Sequence, residues 1–430
     1  MIGIYLFIFA LIALFIGYPI ALTFAGLSLL VGIWIEGPDL FAFMPYRLFS
    51  IMEGSILMAI PMFIFMGVVL QRSGLAEKLL ESMGKLFGGR PGGLAVSTII
   101  VGAFLAASTG VVGASVVAMG VISLPVMMKY QYDEKLATGV IAASGTLGQI
   151  IPPSIILIIL GDVLSIPVGD LFKAAIIPGL ALVGLYLIYV LTITHFNKAS
   201  APPIPDLESN NKTELIKNAL INIIPPLTLI IVVLGSILTG IATPTESSAL
   251  GAIGAIILAK IYLGRVDWKM IAESGKESVK VTSMVFAVLI GATAFSMVFT
   301  YSGGDYILEE FMLGLPGEKW TFIILSMLAI FILGFFIDFI EIAFIVVPIL
   351  LPIAEALGLN MTWFAILIAM NLQSSFMTPP FGFSLFYLKG VAPPSIKTTT
   401  IYRGVIPFIA LQMLLLLVLV VYPGILGFEI

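Results

Sequence analysis

The sequence predicts an all-α polytopic membrane protein, built as an inverted repeat with two re-entrant helical hairpins and two broken helices. The first reason is composition, because the 430 residues are 60% hydrophobic and 10% charged, with a mean hydropathy of +1.17. Soluble domains carry about 25% charged residues. The second reason is a set of apolar runs whose lengths or interruptions do not suit plain membrane-spanning helices. The third is that the same order of segments occurs twice.

The two broken helices are predicted from proline pairs inside apolar segments. Ile141–Leu160 is uncharged, yet Ser144–Ser154 contains two glycines, two prolines and four polar side chains. Proline lacks an amide hydrogen and its ring clashes with the preceding turn. Lipid offers the freed carbonyl groups no partner, so such a break needs protein, water or an ion around it. Gln373–Ser384 has the same character, and we expect broken helices over Leu136–Leu160 and Thr362–Leu388.

The two hairpins are predicted from run length. Leu94–Met128 has 35 residues without a charge. One straight helix of that length measures about 52 Å, which exceeds a hydrocarbon core of about 30 Å, and two full spans need about 40 residues and a turn. Two arms that meet at Ser108–Gly110 fit the length. Thr321–Ala354 is the second such run, interrupted only at Gly334–Glu341.

The remaining segments are plain apolar helices, amphipathic helices or a polar connection. The first half adds apolar Ile2–Ile16, Ile20–Trp34, Ile56–Leu70 and Ala174–Thr194, an interfacial arm at Glu36–Ser50, and a basic amphipathic segment at Glu77–Arg90. The second half adds apolar Ile223–Ile241, Ser247–Leu263, Val281–Tyr301 and Tyr402–Leu426, and a basic segment at Arg265–Lys280. Glu246 stands at the start of its helix, where a carboxylate suits the helix dipole.

The matched order of these segments predicts the domain organisation. The first repeat covers 1–200, with helices and arm at 1–92, hairpin and broken helix at 93–162 and a spanning helix at 174–195. The linker is 201–222, and the second repeat covers 223–430, with helices at 223–301, hairpin and broken helix at 321–389 and the last helix at 402–426. Polar interruptions concentrate in the hairpins and broken helices, so we expect a moving domain there. We expect a scaffold of the first two helices, the arm, Ala174–Thr194 and their equivalents.

The basic residues predict how the chain is oriented. If each hairpin returns to its own side, one face collects all of the 20 Lys and Arg except Arg47, Lys173 and Lys319. The positive-inside rule makes that face cytoplasmic and the N-terminus periplasmic. The first hairpin then opens to the cytoplasm and the second to the outside, so the two halves are inverted.

Several function classes lack the residues they require. The chain has no cysteine and one histidine, His195, which excludes disulfides, thiol catalysis and histidine–cysteine metal sites. The glycine-rich Gly88–Gly93 is not followed by the lysine and hydroxyl of a phosphate loop. We therefore expect no cofactor, no enzymatic activity and no nucleic-acid partner, and ATP-driven transport would need another subunit.

The candidate site lies where the hairpin tips and the breaks meet. Its members offer hydroxyl and carbonyl oxygens, which suit Na⁺, and helix N-termini, which favour an anionic group. The first tip and break gather Ser108, Thr109, Gly110, Ser144, Gly145, Gly148 and Ser154, and the second gather Gly334, Asp338, Ser374, Ser375, Thr378 and Gly382.

Asp338 is the most informative single residue, because a carboxylate at membrane depth is costly unless it is paired or hydrated. It can bind a cation, carry a proton or line the substrate path, and the alternative is a carboxylate hydrated at a hairpin tip. Glu341, one turn later, is a second candidate on the same face.

Four motifs resemble the large permease subunit of tripartite ATP-independent periplasmic (TRAP) transporters. They are AIPMFIFMG from Ala59, AASGTLGQIIPPS from Ala142, ATPTE from Ala242 and GFFIDFIEI from Gly334. The resemblance implies an elevator-type symporter of the bacterial inner membrane that imports organic acids with sodium. It also implies two partners, namely a small four-helix membrane subunit on a separate chain and a periplasmic substrate-binding protein.

The resemblance also carries the family's site roles to matching positions. We expect cation ligands at Ser108, Gly110, Gly145, Gly148, Gly334, Thr378 and Gly382, and substrate contacts at Thr109, Ser154 and Asp338. The first tip departs from the family pattern, because Val111 stands where many members have serine.

Two other functions compete with this hypothesis. One is a stand-alone elevator carrier for dicarboxylates that needs no binding protein. The other is a membrane-embedded enzyme such as an intramembrane hydrolase, for which Asp338 and Glu341 are a thin constellation. Within the TRAP hypothesis, C4-dicarboxylates, sugar acids and aromatic acids all remain open as substrates.

Overall fold

The computed structural model describes residues 1–204, 212–265 and 267–428, and these residues form helices and connections without any β-strand. Seven of the described helices are long and apolar enough to cross a membrane, and an eighth crossing results if one bent pair is counted as a single span. That pair, Ala59–Arg72 and Leu75–Phe87, bends by 57°. The length and apolarity of these helices indicate a multi-pass membrane protein.

The first half begins with five helices joined by short turns. They are α1 (Ile2–Ile16), α2 (Ile20–Glu36), α3 (Met44–Met52), α4 (Ala59–Arg72) and α5 (Leu75–Phe87), with a 3-10 turn at Pro38–Phe43 before α3. The turn after α1 depends on Gly17, whose φ of 102° is left-handed and favours glycine. The 3-10 turn and α3 together form the predicted arm, and α3 has no buried residue.

The first hairpin and the first broken helix follow as predicted. The hairpin arms are α6 (Gly93–Thr109) and α7 (Val112–Lys129), and the broken helix consists of α8 (Glu134–Thr146), a 3-10 turn at Leu147–Gln149 and α9 (Ile155–Val163). The long α10 (Val168–Phe196) closes this half.

The second half has the same order of elements. It comprises α11 (Lys212–Leu238), α12 (Pro244–Leu263), α13 (Trp268–Tyr301), α14 (Gly304–Leu313), α15 (Glu318–Leu333), α16 (Phe339–Glu341), α17 (Val347–Ala356), α18 (Met361–Ser375), α19 (Phe383–Val391) and α20 (Thr398–Val421). The second hairpin consists of α15 and, after the tip, α16, a π-helical turn at Ile342–Val346 and α17. Residues 376–382 separate α18 from α19. The start of α12 confirms the capping role of Glu246, because Thr243 and Glu246 form a reciprocal capping box.

Two segment boundaries differ from the sequence prediction. The linker predicted at 201–222 is too long, because α11 already begins at Lys212; the part of the linker at 205–211 lies outside the described residues. The basic segment Arg265–Lys280 was expected to be separate from Val281–Tyr301, but α13 runs unbroken from Trp268 to Tyr301. In both places a helix extends past its apolar part, because charged residues are good helix formers and do not end a helix.

Packing joins the helices into two groups that touch each other where Gly67 of α4 lies against Ser108 and Thr109 of the first tip. α4 packs against α12 and α13, and α2 packs against α13, which joins elements of both halves into one frame. The broken helices lie in a second group, in which α8 contacts α6, α7 and α20. This group contains the hairpins and the candidate site.

The neighbours of α10 bear on one expectation, which stays a prediction. Ala174–Thr194 and its equivalent Tyr402–Leu426 were expected in the scaffold. In the structure α10 packs against α6, α9 and α18 of the hairpins and broken helices, and also against α11 and α20. Gln412 Nε2 of α20 donates a hydrogen bond to the buried Tyr186 hydroxyl of α10 at 2.6 Å. An apolar helix can pack on protein or face lipid at no backbone cost, so hydropathy does not reveal its neighbours.

Candidate functional site

The first hairpin tip is a tight turn closed by its own hydrogen bonds. Gly110 adopts a left-handed φ of 61°, and its amide donates to the Ala106 carbonyl at 3.0 Å. Ser108 Oγ donates to the Leu105 carbonyl at 2.8 Å. The hydroxyls of Thr109 and Ser115 lie 2.6 Å apart, so the two arms are linked just beyond the tip.

The first break is produced by the proline pair. Pro152 has no amide hydrogen for the carbonyl of Gly148, four residues earlier, so the helix cannot continue. The Pro152–Pro153 peptide bond is cis. Ser154 stands at the start of α9, where its Oγ donates to the Gln149 carbonyl at 2.6 Å. This bond ties the two sides of the break together.

Glycines let the first tip and the first break pack in backbone contact. A Cβ on Gly148 would lie 2.6 Å from the carbonyl oxygen of Ala106, next to the tip. A Cβ on Gly145 would lie 2.9 Å from the Cα of Val116 on the second arm, and one on Gly110 would lie 2.9 Å from Ile155 Cγ1 at the start of α9. The structure therefore brings the predicted first-repeat residues together.

The second tip and break repeat this arrangement. Gly334 packs so closely on Ser375 that an added Cβ would collide with the Ser375 hydroxyl. Thr378 Oγ1 donates to the Ser374 carbonyl at 2.8 Å, and the Gly382 amide donates to the Thr378 carbonyl at 3.0 Å. The Pro379–Pro380 peptide bond is cis, as in the first break.

Asp338 begins the second arm of the second hairpin. Its Oδ1 accepts a hydrogen bond from the Phe339 amide at 2.8 Å, and its side chain is partly buried. Glu341 is 4% exposed and its Oε2 has no hydrogen-bond partner. Because an unpartnered buried carboxylate oxygen is costly, Glu341 is as strong a candidate for binding a cation or proton as Asp338.

The two repeats meet at the breaks. Thr146 Oγ1, at the end of α8, lies 3.5 Å from the sulfur of Met377 in the second break. α19 packs on α7 and α9 packs on the π-helical turn, so each broken helix contacts the hairpin of the other repeat. Among the described residues, no hydrogen bond or ion pair joins Asp338 to the first tip or the first break.

Three site residues were not singled out from the sequence. Gln149 and Gln373 are buried beside the two breaks, and neither side-chain amide has a hydrogen-bond partner. Tyr387 lies against Gly113 of the first hairpin and within electrostatic reach of Asp338 and Glu341. The sequence contained a sign of the two glutamines, because a polar amide near a proline pair in an apolar run is unusual. Nothing in the sequence marked Tyr387.

The site offers oxygen ligands and no basic side chain. The hydroxyls of Ser108, Ser154 and Thr378 donate their hydrogens to carbonyls of their own segments, which leaves oxygen lone pairs available. The sequence contains no Lys, Arg or His in 91–128, 136–163 or 321–388. No group of three His, Cys, Asp or Glu suited to a metal ion occurs in the part of the chain that the structure describes. Hard oxygen atoms at helix breaks fit an alkali cation.

Comparison with known families decides what kind of protein contains this site. The family model described as "Tripartite ATP-independent periplasmic transporter, DctM component" matches residues 6–425. The chain is a DctM component of a TRAP transporter. The resemblance found in the four motifs is thus confirmed over nearly the whole chain.

Individual relatives agree with this DctM assignment. The chain is 31% identical over 427 residues to the C4-dicarboxylate TRAP transporter large permease protein DctM of Rhodobacter capsulatus, covering 96% of this chain and 95% of the relative. It is 30% identical to the isethionate TRAP transporter permease protein DctMQ of Oleidesulfovibrio alaskensis, covering 97% of this chain but 65% of the relative. The chain is also 26% identical to the sialic acid TRAP transporter large permease protein SiaM of Vibrio cholerae, covering 95% of this chain and 94% of the relative.

A solved structure confirms the fold class of this DctM chain. The YdaH transporter of Alcanivorax borkumensis, whose crystal structure is described as having an unusual topology, superposes with a TM-score of 0.64 at 15% identity. The match covers 94% of this chain and 97% of that one. The prediction of an all-α polytopic membrane fold with two hairpins and two broken helices is confirmed.

Proposed function

We propose that the chain is the permease subunit of a Na⁺-driven symporter that imports an organic acid delivered by a periplasmic binding protein. The observation that carries the proposal is the packing of two glycine-lined hairpin tips onto two proline-broken helices, with the breaks meeting at Thr146 and Met377. Discontinuous helices of this kind present oxygen atoms to cations and helix N-termini to anions. Several relatives are named for C4-dicarboxylates or sialic acid, which are organic acids.

The proposed transport cycle is an elevator movement. The hairpins and broken helices form one packed group and α2, α4, α12 and α13 form another, and the two groups meet where α4 contacts α6 and α13 contacts the second hairpin. Two cavities separate the hairpins from flanking helices: one of about 320 Å³ lies between α1 and the second tip, and one of about 370 Å³ lies among α6, α10 and α11. Incomplete packing at such a boundary lowers the cost of sliding one group along the other.

The proposed location is the bacterial inner membrane, with the N-terminus in the periplasm. The support is the segregation of basic residues, since only Arg47, Lys173 and Lys319 fall on the opposite face from the rest. Inner-membrane placement also gives the second hairpin access to a periplasmic binding protein. The small four-helix membrane subunit is proposed to dock on the scaffold group, which leaves the hairpins free to move.

Uptake in proteoliposomes tests the coupling ion and the partner together. The chain is reconstituted with its small subunit, and uptake of the binding protein's ligand is measured in Na⁺, K⁺ and choline buffers, with and without the binding protein. We expect uptake only with Na⁺ and the binding protein both present. Undiminished uptake driven by a proton gradient without Na⁺ contradicts sodium coupling. Uptake without the binding protein favours a stand-alone carrier.

Cysteine cross-linking tests the sliding movement, because the chain has no native cysteine. The rings of Phe15 on α1 and Phe336 at the second tip lie 4.7 Å apart, so a Phe15→Cys/Phe336→Cys pair joins a scaffold helix to a hairpin. We expect a cross-link there to stop uptake and its reduction to restore uptake. The matched control is Ser236→Cys/Ser247→Cys, whose hydroxyls lie 2.8 Å apart between α11 and α12 within the scaffold, and we expect it to leave uptake intact. If both cross-links are harmless, the sliding movement is wrong.

A further inference from the structure

The cavity between α1 and the second hairpin tip has an aromatic lining. It measures about 320 Å³, and all ten residues around it are Leu, Ile or Phe. Six are phenylalanines, namely Phe15, Phe335, Phe336, Phe381, Phe383 and Phe386. Ligand pockets in proteins typically measure about 300–1,000 Å³ and are mostly apolar, so the cavity is large enough for the body of a small ligand.

The rings are held in place by one another, but their faces are not covered. Phe336 packs edge-on against Phe15 at 4.7 Å and contacts Phe381 at 5.2 Å. Even so, Phe336 is 37% exposed, Phe381 is 46% exposed and Phe386 is 55% exposed. An ordered aromatic surface that stays open provides area for a flat apolar group at little cost in side-chain entropy.

The cavity joins the candidate site directly. Phe336 and Ile337 immediately precede Asp338 at the second tip, and Phe381 and Phe383 flank Gly382 in the second break. A ligand with its polar end at the tip and break therefore has its other end at the aromatic lining.

The charges around the site favour a ligand with one carboxylate. The ranges 91–128, 136–163 and 321–388 contain no basic side chain and four acids, of which Asp338 and Glu341 lie at the second tip and Asp162 and Glu355 lie elsewhere. A second carboxylate would lie near two acids without a basic partner, and burying an unpaired charge is unfavourable. The side chains of the lining offer a second carboxylate no hydrogen-bond donor, whereas they suit a hydrocarbon group.

We propose that this cavity binds the apolar body of the substrate, and that the substrate is a monocarboxylate carrying an aromatic ring. The inference rests on the proposed function and narrows its substrate class. The counterpart cavity of the first repeat, about 370 Å³ between α6, α10 and α11, contains a single aromatic residue, Phe104. The aromatic surface thus lies at the tip and break of the second repeat, with Phe15 of α1 added from the first, and the cavity among α6, α10 and α11 provides a control.

The test uses single-cysteine reporters in the full chain, reconstituted with its small subunit in lipid nanodiscs with Na⁺. Phe386→Cys reports on the aromatic cavity, and Phe381→Cys is a second reporter in case the first variant folds poorly. Leu180, which is 64% exposed and lines the cavity among α6, α10 and α11, is replaced in a third variant, Leu180→Cys. Its labelling rate changes if the acid moves the hairpins and broken helices as a group instead of covering the aromatic cavity. Maleimide labelling rates are measured with phenylacetate or succinate as probes, and Na⁺-dependent uptake is measured on the same variants.

Phenylacetate is expected to slow labelling of Phe386→Cys about tenfold at roughly ten times its dissociation constant, because only the unliganded fraction reacts. Succinate should have little effect, and labelling of Leu180→Cys should change with neither acid. Equal protection by succinate, or equal protection of Leu180→Cys, overturns the inference. Absence of protection by phenylacetate while Na⁺-dependent uptake of an organic acid persists overturns the substrate class and leaves the proposed function standing. Absence of Na⁺-dependent uptake of any organic acid delivered by the binding protein overturns the proposed function itself.

Discussion

Substitution of Gly145 by alanine tests whether close packing of the first hairpin on the first broken helix is required for transport. A Cβ at this position would lie 2.5 Å from Cγ2, 2.9 Å from Cα and 3.0 Å from the amide nitrogen of Val116. Carbon atoms in ordinary contact are about 3.5 Å apart or more. The hairpin arm and α8 must therefore separate by about 0.6 Å, because two of the three atoms belong to the backbone and cannot rotate away.

The expected magnitude follows from overpacking. Inserting a methyl group into a packed core typically costs about 1–3 kcal/mol. The matched control is Gly184→Ala in the interior of α10, where an added Cβ would meet nothing within 4 Å. Each substitution also gains helix propensity, by up to about 1 kcal/mol in a helix interior and by less at Gly145, which stands next to the end of α8. The difference in stability between the two variants, about 1–3 kcal/mol, then isolates the steric effect.

Two measurements check this prediction. Thermal unfolding of the purified protein should show a lower midpoint for Gly145→Ala than for Gly184→Ala. Na⁺-dependent uptake should fall at least about tenfold in Gly145→Ala, since a binding site must be held to within about 0.5 Å, and should be unchanged in Gly184→Ala. Wild-type unfolding and uptake in Gly145→Ala would refute the argument that the tip and break form one rigid site.

Three further predictions concern other contacts. Gln412→Leu removes the donor to the Tyr186 hydroxyl and should lower the free energy of unfolding by about 1–3 kcal/mol. Adding Tyr186→Phe to this variant should cost less than Tyr186→Phe alone, and thermal unfolding of the wild type, both single variants and the double variant measures the difference. Arg72→Gln breaks ion pairs that are 36–46% exposed and should cost no more than about 1 kcal/mol in the same assay, with uptake retained. Thr109→Val removes the hydroxyl contact with Ser115 at the first tip; uptake should fall far more than stability, and equal losses would indicate a purely structural role.

The tips and breaks were predictable because their causes are local. A proline cannot donate the hydrogen bond that a helix requires, so Pro152 and Pro379 mark the breaks wherever the chain is placed. The first hairpin followed from the length of Leu94–Met128, and the turn itself forms at Gly110, where a left-handed φ suits glycine. The residues proposed as ligands lie at these tips and breaks, and their role in binding stays a prediction.

Helix boundaries were less predictable where charge replaces apolar periodicity. α11 begins at Lys212 inside the predicted linker, and α13 continues through the basic segment into its apolar part. In both helices the extension mixes good helix formers such as Lys, Glu and Ala with poorer ones such as Asn, Ser and Gly275, so propensity alone does not mark its end. The sequence shows where the apolar part of each helix begins. The helix itself begins where its backbone hydrogen bonds begin, and hydropathy does not show that position.

Contacts between distant segments were decided by the tertiary structure. Hydropathy cannot say that α10 packs with α20 through Tyr186 and Gln412, because an apolar helix satisfies its backbone equally well against lipid or protein. The contact between Thr146 and Met377 depends on how one repeat is inverted against the other. The open aromatic cavity forms because Phe15 of α1 contacts Phe336 at the tip of the second hairpin, more than 300 residues later in the chain. Local chemistry therefore determined the positions of the breaks, while the packing of the two repeats determined what those breaks face.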